Sequence, residues 1–109
     1  MDWDLEFDEP IAERVIEGTD RKVVVRLGPP RLDEHQHWYC PYHIEGLPDD
    51  PNNKMFGGGI DAIDSIVMAL ANIGAYLNSR KDEFGLDFYG QDFLGFLDIK
   101  RPPLSNWSG

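Results

Sequence analysis

The stretch Phe56-Gly57-Gly58-Gly59-Ile60-Asp61, running into Ala62 through Ser79, decides the fold. Three glycines lead to an aspartate, and the eighteen residues after it carry a single charge, Asp64. Asp61 has the side chain of a helix N-cap, able to accept from the free amides of a first turn. Asp64, three residues on, adds negative charge near the positive end of the helix dipole. Arg80 and Lys81 suit a last turn and Gly85 suits a stop, so the pattern predicts one helix from Asp61 to Ser79. Ile63, Ile66, Val67, Leu70, Ile73 and Leu77 form its main apolar stripe, widened by Ala62, Ala69 and Tyr76 to more than the ~100° of an ordinary surface helix. The other side offers Met68, Ala71, Asn72, Ala75, Asn78 and Ser79, with Asp64 as its only charge. In a chain that is 28% charged, a side without Lys or Glu predicts a cover, either the C-terminal segment or a second subunit. Met68, Ala71, Asn72 and Ala75 are therefore the expected interaction surface. The run is too short, and too broken by Ser65, Asn72 and Gly74, for a membrane span.

Strands are expected upstream. Ile11–Glu17 and Arg21–Leu27 flank Gly18-Thr19-Asp20, a short connection with hairpin chemistry. Val23, Val25 and Leu27 share one face of the second strand, and Lys22, Val24 and Arg26 share the other. The first strand's buried side stays open, because Glu13 and Glu17 have the parity of Ile11 and Val15. Gly28-Pro29-Pro30 stops the second strand, since proline gives no donor to a ladder. Arg31–Gln36 reads as a polar loop. Trp38–Glu45 is a third strand with Trp38, Cys40, Tyr42 and Ile44 on one face, and Pro41 within it implies an edge or a bulge. Gly46–Lys54 is an exposed loop. From Asp2 to Asp8, acids alternate with Trp3, Leu5 and Phe7, the period of an arm or edge strand with one apolar face. Leu86–Gly90 can add a strand. Gln91–Ile99, rich in Phe and Leu but interrupted by Gly95, reads as an irregular segment closing one side of the core.

These elements give an α+β fold: an antiparallel meander of three to four strands with one long helix packed across one face. A length of 109 residues fits a single domain, with an acidic arm over 1–9 and a loose tail over 100–109. With 20 Asp+Glu against 10 Lys+Arg the formal charge is −10, which repels nucleic acid and anionic membrane and either favours basic partners or cations or serves solubility alone. The lone Cys40 allows no intramolecular disulfide. Met1-Asp2-Trp3-Asp4 has no signal-peptide pattern, so a cytoplasmic location is expected.

The glycine run before a helix resembles a phosphate cradle. A P-loop, however, places Lys and Ser or Thr after its glycines, whereas Ile60 and Asp61 follow here, and Asp61 and Asp64 repel a phosphate. The glycines are instead expected to be a turn that sets the helix on the sheet. His35, His37, Cys40 and His43 cluster within nine positions. On an extended strand at ~3.3 Å per residue, His37 and His43 stand about 20 Å apart, with Cys40 facing away from both. Only His35 and His37 share a face, as weak two-ligand metal candidates. No metal site, cofactor or catalytic residue is assigned. Cys40 fits a small core residue and lies in no nucleophile motif. Asp49-Asp50 fits a solvated loop.

Trp38-Tyr39-Cys40-Pro41-Tyr42, Ile44-Glu45-Gly46 and Gly59-Ile60-Asp61-Ala62 running into Ala69-Leu70-Ala71-Asn72-Ile73 together resemble a group of small bacterial proteins of unknown function. The resemblance spans roughly residues 11 to 97, implies a bacterial single-domain α+β protein, and carries no activity across. The leading expectation is a non-enzymatic protein-binding module, either self-associating as a homodimer or neutralising a basic partner as immunity proteins do. The alternative is a small-ligand or metal-binding domain, with or without catalysis, built around Trp38, His37, His43 and the glycines.

Overall fold

A computed structural model of the protein describes residues 3–98. The expected tail over 100–109 lies outside the described residues. Four strands, β1 (Ala12–Gly18), β2 (Arg21–Leu27), β4 (Trp38–Glu45) and β5 (Lys54–Gly59), and the two-residue β3 (Arg31–Leu32) form one antiparallel sheet. β4 is central: β2 and then β3 pair along one side of it, and β5 pairs along the other. Helix α1 (Ala62–Ser79) packs across the β4–β5 half of one face, followed by the short α2 (Lys81–Phe84). The architecture is α+β.

β1 and β2 form a hairpin whose two-residue turn, Thr19-Asp20, places Asp20 at φ 58°. The side of β1 that the sequence leaves open is settled by Ile16, fully buried, while Val15 is exposed. Pro41 lies in the central strand, not at an edge, and its neighbours show how a sheet interior accepts it. The amide of Gly28 donates to the Pro41 carbonyl at 2.8 Å, but proline cannot return the bond. The Cys40 thiol, 3.3 Å from the Gly28 oxygen, donates in its place. Pro29 then ends β2 where its ladder with β4 is already interrupted.

The glycines form a strand, not a turn. In β5, Gly57 and Gly59 pair with Cys40 and Trp38 on the helix side, and Gly58 pairs with Tyr39 on the opposite face. A Cβ on Gly57 would lie 2.1 Å from the Ala69 nitrogen, and one on Gly59 would lie 2.3 Å from the Ser65 nitrogen. One on Gly58 would meet nothing closer than 4.0 Å. Alternate glycines thus let helix backbone rest on strand backbone, which only small residues permit. This contact turns the helix from the expected bearing. Its buried residues are Ser65, Ala69, Ile73, Gly74 and Leu77. Ile63, placed in the expected stripe, is 72% exposed, and Leu70 is exposed as well.

The core gathers Ile16, Val23, Val25, Leu27, Cys40, Tyr42 and Ile44 from the sheet with Ala69, Ile73 and Leu77 from α1. Each fully buried Ile or Leu stabilises the fold by about 1.5–3 kcal/mol. Leu86, Leu94 and Phe96 close it beyond the helix. Leu86–Gly90 contributes only a bridge between Asp87 and Glu17. The irregular closing segment is a turn at Asp92–Gly95, in which Phe93 and Leu94 both adopt left-handed backbone at φ 55° and 53°. That conformation is costly for residues with a Cβ. Here it is held by the fully buried Leu94 side chain, by Arg14 donating to the Leu94 carbonyl at 3.3 Å, and by Asn78 donating to the Phe93 carbonyl at 3.0 Å.

Residues 3–8 form an extended arm across the other face of the sheet. Trp3, Leu5 and Phe7 are half-buried and Asp4, Glu6 and Asp8 exposed, as the alternation predicts. The Trp3 ring lies 4.5 Å from Phe56, and Phe7 stacks on His43 at 4.2 Å. Arg31 donates to the carbonyls of Asp4 and Glu6, His43 Nε2 is 2.8 Å from the Leu5 oxygen, and Lys54 pairs with Glu6 at 2.6 Å.

Candidate functional site

The outward side of α1 stands out by what it lacks. Its exposed residues are Ile63, Leu70, Asn72, Ala75 and Ser79, and none is charged. The helix's one charge, Asp64, is committed to the N-terminus: its Oδ2 accepts from the Ile60 amide at 2.9 Å, while its own amide donates to Asp61 Oδ1 at 2.7 Å. These two carboxylates occupy amides that an anion would otherwise use, so the entry to α1 is filled from within.

The four residues expected to interact fall into two pairs. Asn72 and Ala75 are exposed, whereas Met68 and Ala71 are half-buried beside them. Asn72 Nδ2 donates to the Phe56 carbonyl at 3.3 Å, tying the helix to the outer edge of β5. The C-terminal segment covers part of the helix, as one expectation had it, but at Gly74 and Asn78. A Cβ on Gly74 would lie 2.8 Å from the Phe96 Cβ, and Asn78 bonds the Phe93 carbonyl.

On the flank of α1 toward β1, an apolar groove of about 200 Å³ opens between Val25, Leu27, Val67, Leu70, Phe96 and Leu97, with Glu13 and Arg14 at its rim. The Arg14 guanidinium is wedged over the rings of Phe88 and Phe96, at 4.2 and 4.7 Å from their centroids. Periodicity missed this groove because it assigned Val67 and Leu70 to the buried stripe. The available signal was Gly57 and Gly59 at alternate positions beside the small pair Ser65 and Ala69, four apart on the helix.

His35 and His37 sit in a turn organised by Asp33. Both backbone amides donate to Asp33 Oδ1 at 2.8 Å, and Trp3 Nε1 donates to Oδ2 at 3.1 Å. The hydrogen bond from the His37 amide, with help from those of His35 and Trp3, holds the Asp33 carboxyl below its usual range. The imidazoles are more than half exposed, His35 facing Glu34 at 3.6 Å and His37 facing Asp33 at 3.8 Å. His43 lies under the arm and Cys40 in the core, so the four residues do not converge. Among the described residues no three His, Cys, Asp or Glu side chains form a group able to hold a metal ion. Burial pushes the Cys40 thiol up to about 11 and, together with the nearby Tyr76, the Tyr42 phenol up to about 12. At neutral pH Cys40 is a protonated thiol rather than a nucleophile. Asp50 is not a plain solvated loop residue: it accepts from the Asn52 amide at 2.8 Å and pairs with Arg80 at 3.0 Å, while Tyr76 donates to Asn53 at 3.0 Å. Its carboxylate pins the 47–54 loop to the end of α1.

The family model of a domain of unknown function, DUF6968, matches residues 12–97. The chain belongs to the DUF6968 family. The match runs from the start of β1 to Leu97 on the groove, so the family domain comprises the sheet, both helices and the closing turn, and the N-terminal arm lies outside it. No curated protein and no solved structure is significantly similar to this DUF6968 chain. Among the described residues no helix is long and apolar enough to cross a membrane.

Proposed function

We propose that this DUF6968 protein is a non-enzymatic, cytoplasmic protein-binding module that engages its partner through the outward side of α1, centred on Met68, Ala71, Asn72 and Ala75. The observation that carries the reading is the absence of charge among the five exposed residues of α1 in a chain of net charge −10. A solvated helix side in so charged a protein ordinarily carries Lys or Glu, whereas the core of an interface is depleted in charge. The surface is also pre-organised. The backbone contacts at Gly57 and Gly59 fix the helix on the sheet, which lowers the ordering cost of binding. Acids stand near both ends of it, Asp61 at the entry and Asp82 after the exit, where Arg80 is paired with Glu83 and Asp50 and Lys81 also stands. A partner with a small apolar patch flanked by cations is complementary, and steering by the overall field speeds its approach.

The test is retention of a partner from lysate of cells that encode the protein, compared between the parent, Ala75→Arg and Tyr89→Arg. Tyr89 is 87% exposed and lies outside α1, so it serves as the surface control. The expected outcome is one polypeptide held by the parent and by Tyr89→Arg at low salt, released at moderate salt, and lost with Ala75→Arg. A second copy of this chain as partner gives a dimer in sedimentation equilibrium that Ala75→Arg dissociates. Equal retention by parent and Ala75→Arg, with both monomeric, overturns the reading.

A further inference from the structure

The outer edge of β5 is an open strand edge beside the uncharged flank of α1. Two bonds show which of its backbone groups point away from β4. The Lys54 amide donates to the Pro51 carbonyl, and the Asn72 side chain donates to the Phe56 carbonyl. By the alternation of an antiparallel ladder, the amide and carbonyl of Gly58 point outward with those of Phe56, while Met55, Gly57 and Gly59 bond to β4. The Ile60 amide is taken by Asp64. Among the described residues, the Phe56 amide and both backbone groups of Gly58 are left without a partner. Sheet edges are ordinarily blunted by a charge, a proline or a bulge. From Met55 to Ile60 there is none of these.

Gly58 is also the one glycine of the three that the helix does not require, since a Cβ there would meet nothing closer than 4.0 Å. A strand glycine without a packing role marks a place where another backbone can come close. The charge pattern favours a second copy over a basic partner. Lys54, the only charge from 54 to 60, is paired with Glu6, and Asp64, the only charge of α1, is bound to the helix entry. Two chains of net charge −10 can meet here without opposing carboxylates, whereas a basic partner is better matched by an acidic patch. The register follows from the uncommitted amides. A two-fold axis at Gly57 sets Phe56 against Gly58 of the second copy, where each pair exchanges two N–H···O bonds. The Phe56 ring then covers the open space over the opposite glycine, a cross-strand pairing that compensates for a glycine at an edge. Because α1 lies over β4 and β5, strands about 4.8 Å apart bring the two α1 helices to about 10 Å, a packing distance for helices. Their Asn72 and Ala75 flanks face each other there.

We propose that β5 pairs antiparallel with β5 of a second copy, Phe56 against Gly58, to make one continuous sheet with the two α1 helices side by side across it. This rests on the reading of α1 as an interaction surface and names both its partner and the mode of contact.

The test is amide hydrogen exchange of the full-length protein, dilute and concentrated, with sedimentation equilibrium on the same samples. The expected result is a dimer at high concentration whose Phe56 and Gly58 amides exchange about tenfold or more slowly than in the dilute monomer, with Gly57 protected in both. Gly58→Pro removes an outward donor, leaves the β4 ladder whole and is expected to be a folded monomer. Should that variant not fold, the amides of the parent decide alone. Fast exchange at Phe56 and Gly58 in the concentrated sample overturns the proposal. If that sample is nonetheless a dimer that Ala75→Arg dissociates, strand pairing falls and the α1 surface stands. A monomer at every concentration overturns the second copy, and retention of a lysate partner then decides the α1 surface separately. Protection that arises only on adding a protein of different sequence gives the edge to a foreign strand and also overturns the proposal.

Discussion

The two faces of the sheet are closed in opposite ways. On one face α1 rests backbone to backbone on β5, with Ser65 and Ala69 against Gly59 and Gly57 and no side chain between. On the other, the arm of residues 3–8 is held by side chains: the Trp3 and Phe7 rings, the Trp3 bond to Asp33, the Arg31 bonds to arm carbonyls and the Lys54–Glu6 pair. Backbone packing tolerates no added atom and has no intermediate setting, so the helix and the sheet stand or fall together. Side-chain attachment is graded, and each contact can be lost separately. The helix side is therefore rigid, and the arm side is closed by contacts that can be lost one at a time. The family match agrees in extent, beginning at Ala12, after the arm.

The largest expected effect breaks the rigid face. Gly59→Ala forces a Cβ to within 2.3 Å of the Ser65 nitrogen, and the helix must lift. Overpacking of this kind costs about 2–3 kcal/mol, read as a lower denaturant midpoint. Next comes the arm. Trp3→Ala removes a half-buried indole and is expected to cost about 1–2 kcal/mol, with the helix amides keeping their protection from hydrogen exchange. An equal loss of protection in α1 would mean that the two faces are coupled. Asp61→Ala removes the cap of α1 and is expected to cost about 1 kcal/mol in thermal or urea unfolding.

A smaller effect concerns acid. The Asp33 carboxyl titrates below its unfolded value because the His37 and His35 amides and Trp3 donate to its ionised form. A depressed folded pKa means that this stability is fully present above the unfolded value of about 3.9 and is lost as pH falls through the folded one. Asp33→Asn is expected to flatten that part of the acid limb, with the arm's Trp3 emission changing in step. The smallest effect is the control for the first. Gly58→Ala faces open space and should shift stability by no more than about 0.5 kcal/mol. A loss as large as that of Gly59→Ala would show that the glycines serve something other than the helix contact.

Much of this contrast was legible in the sequence. α1, β2 and β4 announce themselves through caps, strict alternation and proline stops, and the arm through its acid–apolar alternation. β5 did not, because Lys54-Met55-Phe56-Gly57-Gly58-Gly59 has no apolar period and glycine carries no strand preference. Its function as a packing surface appears only when Gly57 and Gly59 are found facing Ala69 and Ser65. Pro41 pointed to an edge because a missing donor is costly inside a sheet. The thiol of Cys40, one residue away, could not be foreseen as the replacement donor. The uncharged helix side was readable as an absence of Lys and Glu. The groove was not, because its walls come from β2, α1 and the closing turn, which only the fold brings together.

The central claim is that the protein meets its partner on the rigid face's helix and not on the arm side. Chemical-shift mapping of the labelled protein, titrated with the retained partner or with further copies of itself, tests this most directly. The predicted result is perturbation of the amides of Ala71, Asn72 and Ala75, with residues 3–8 and the 33–37 turn unchanged. Perturbation confined to the arm and that turn, with α1 silent, would contradict it.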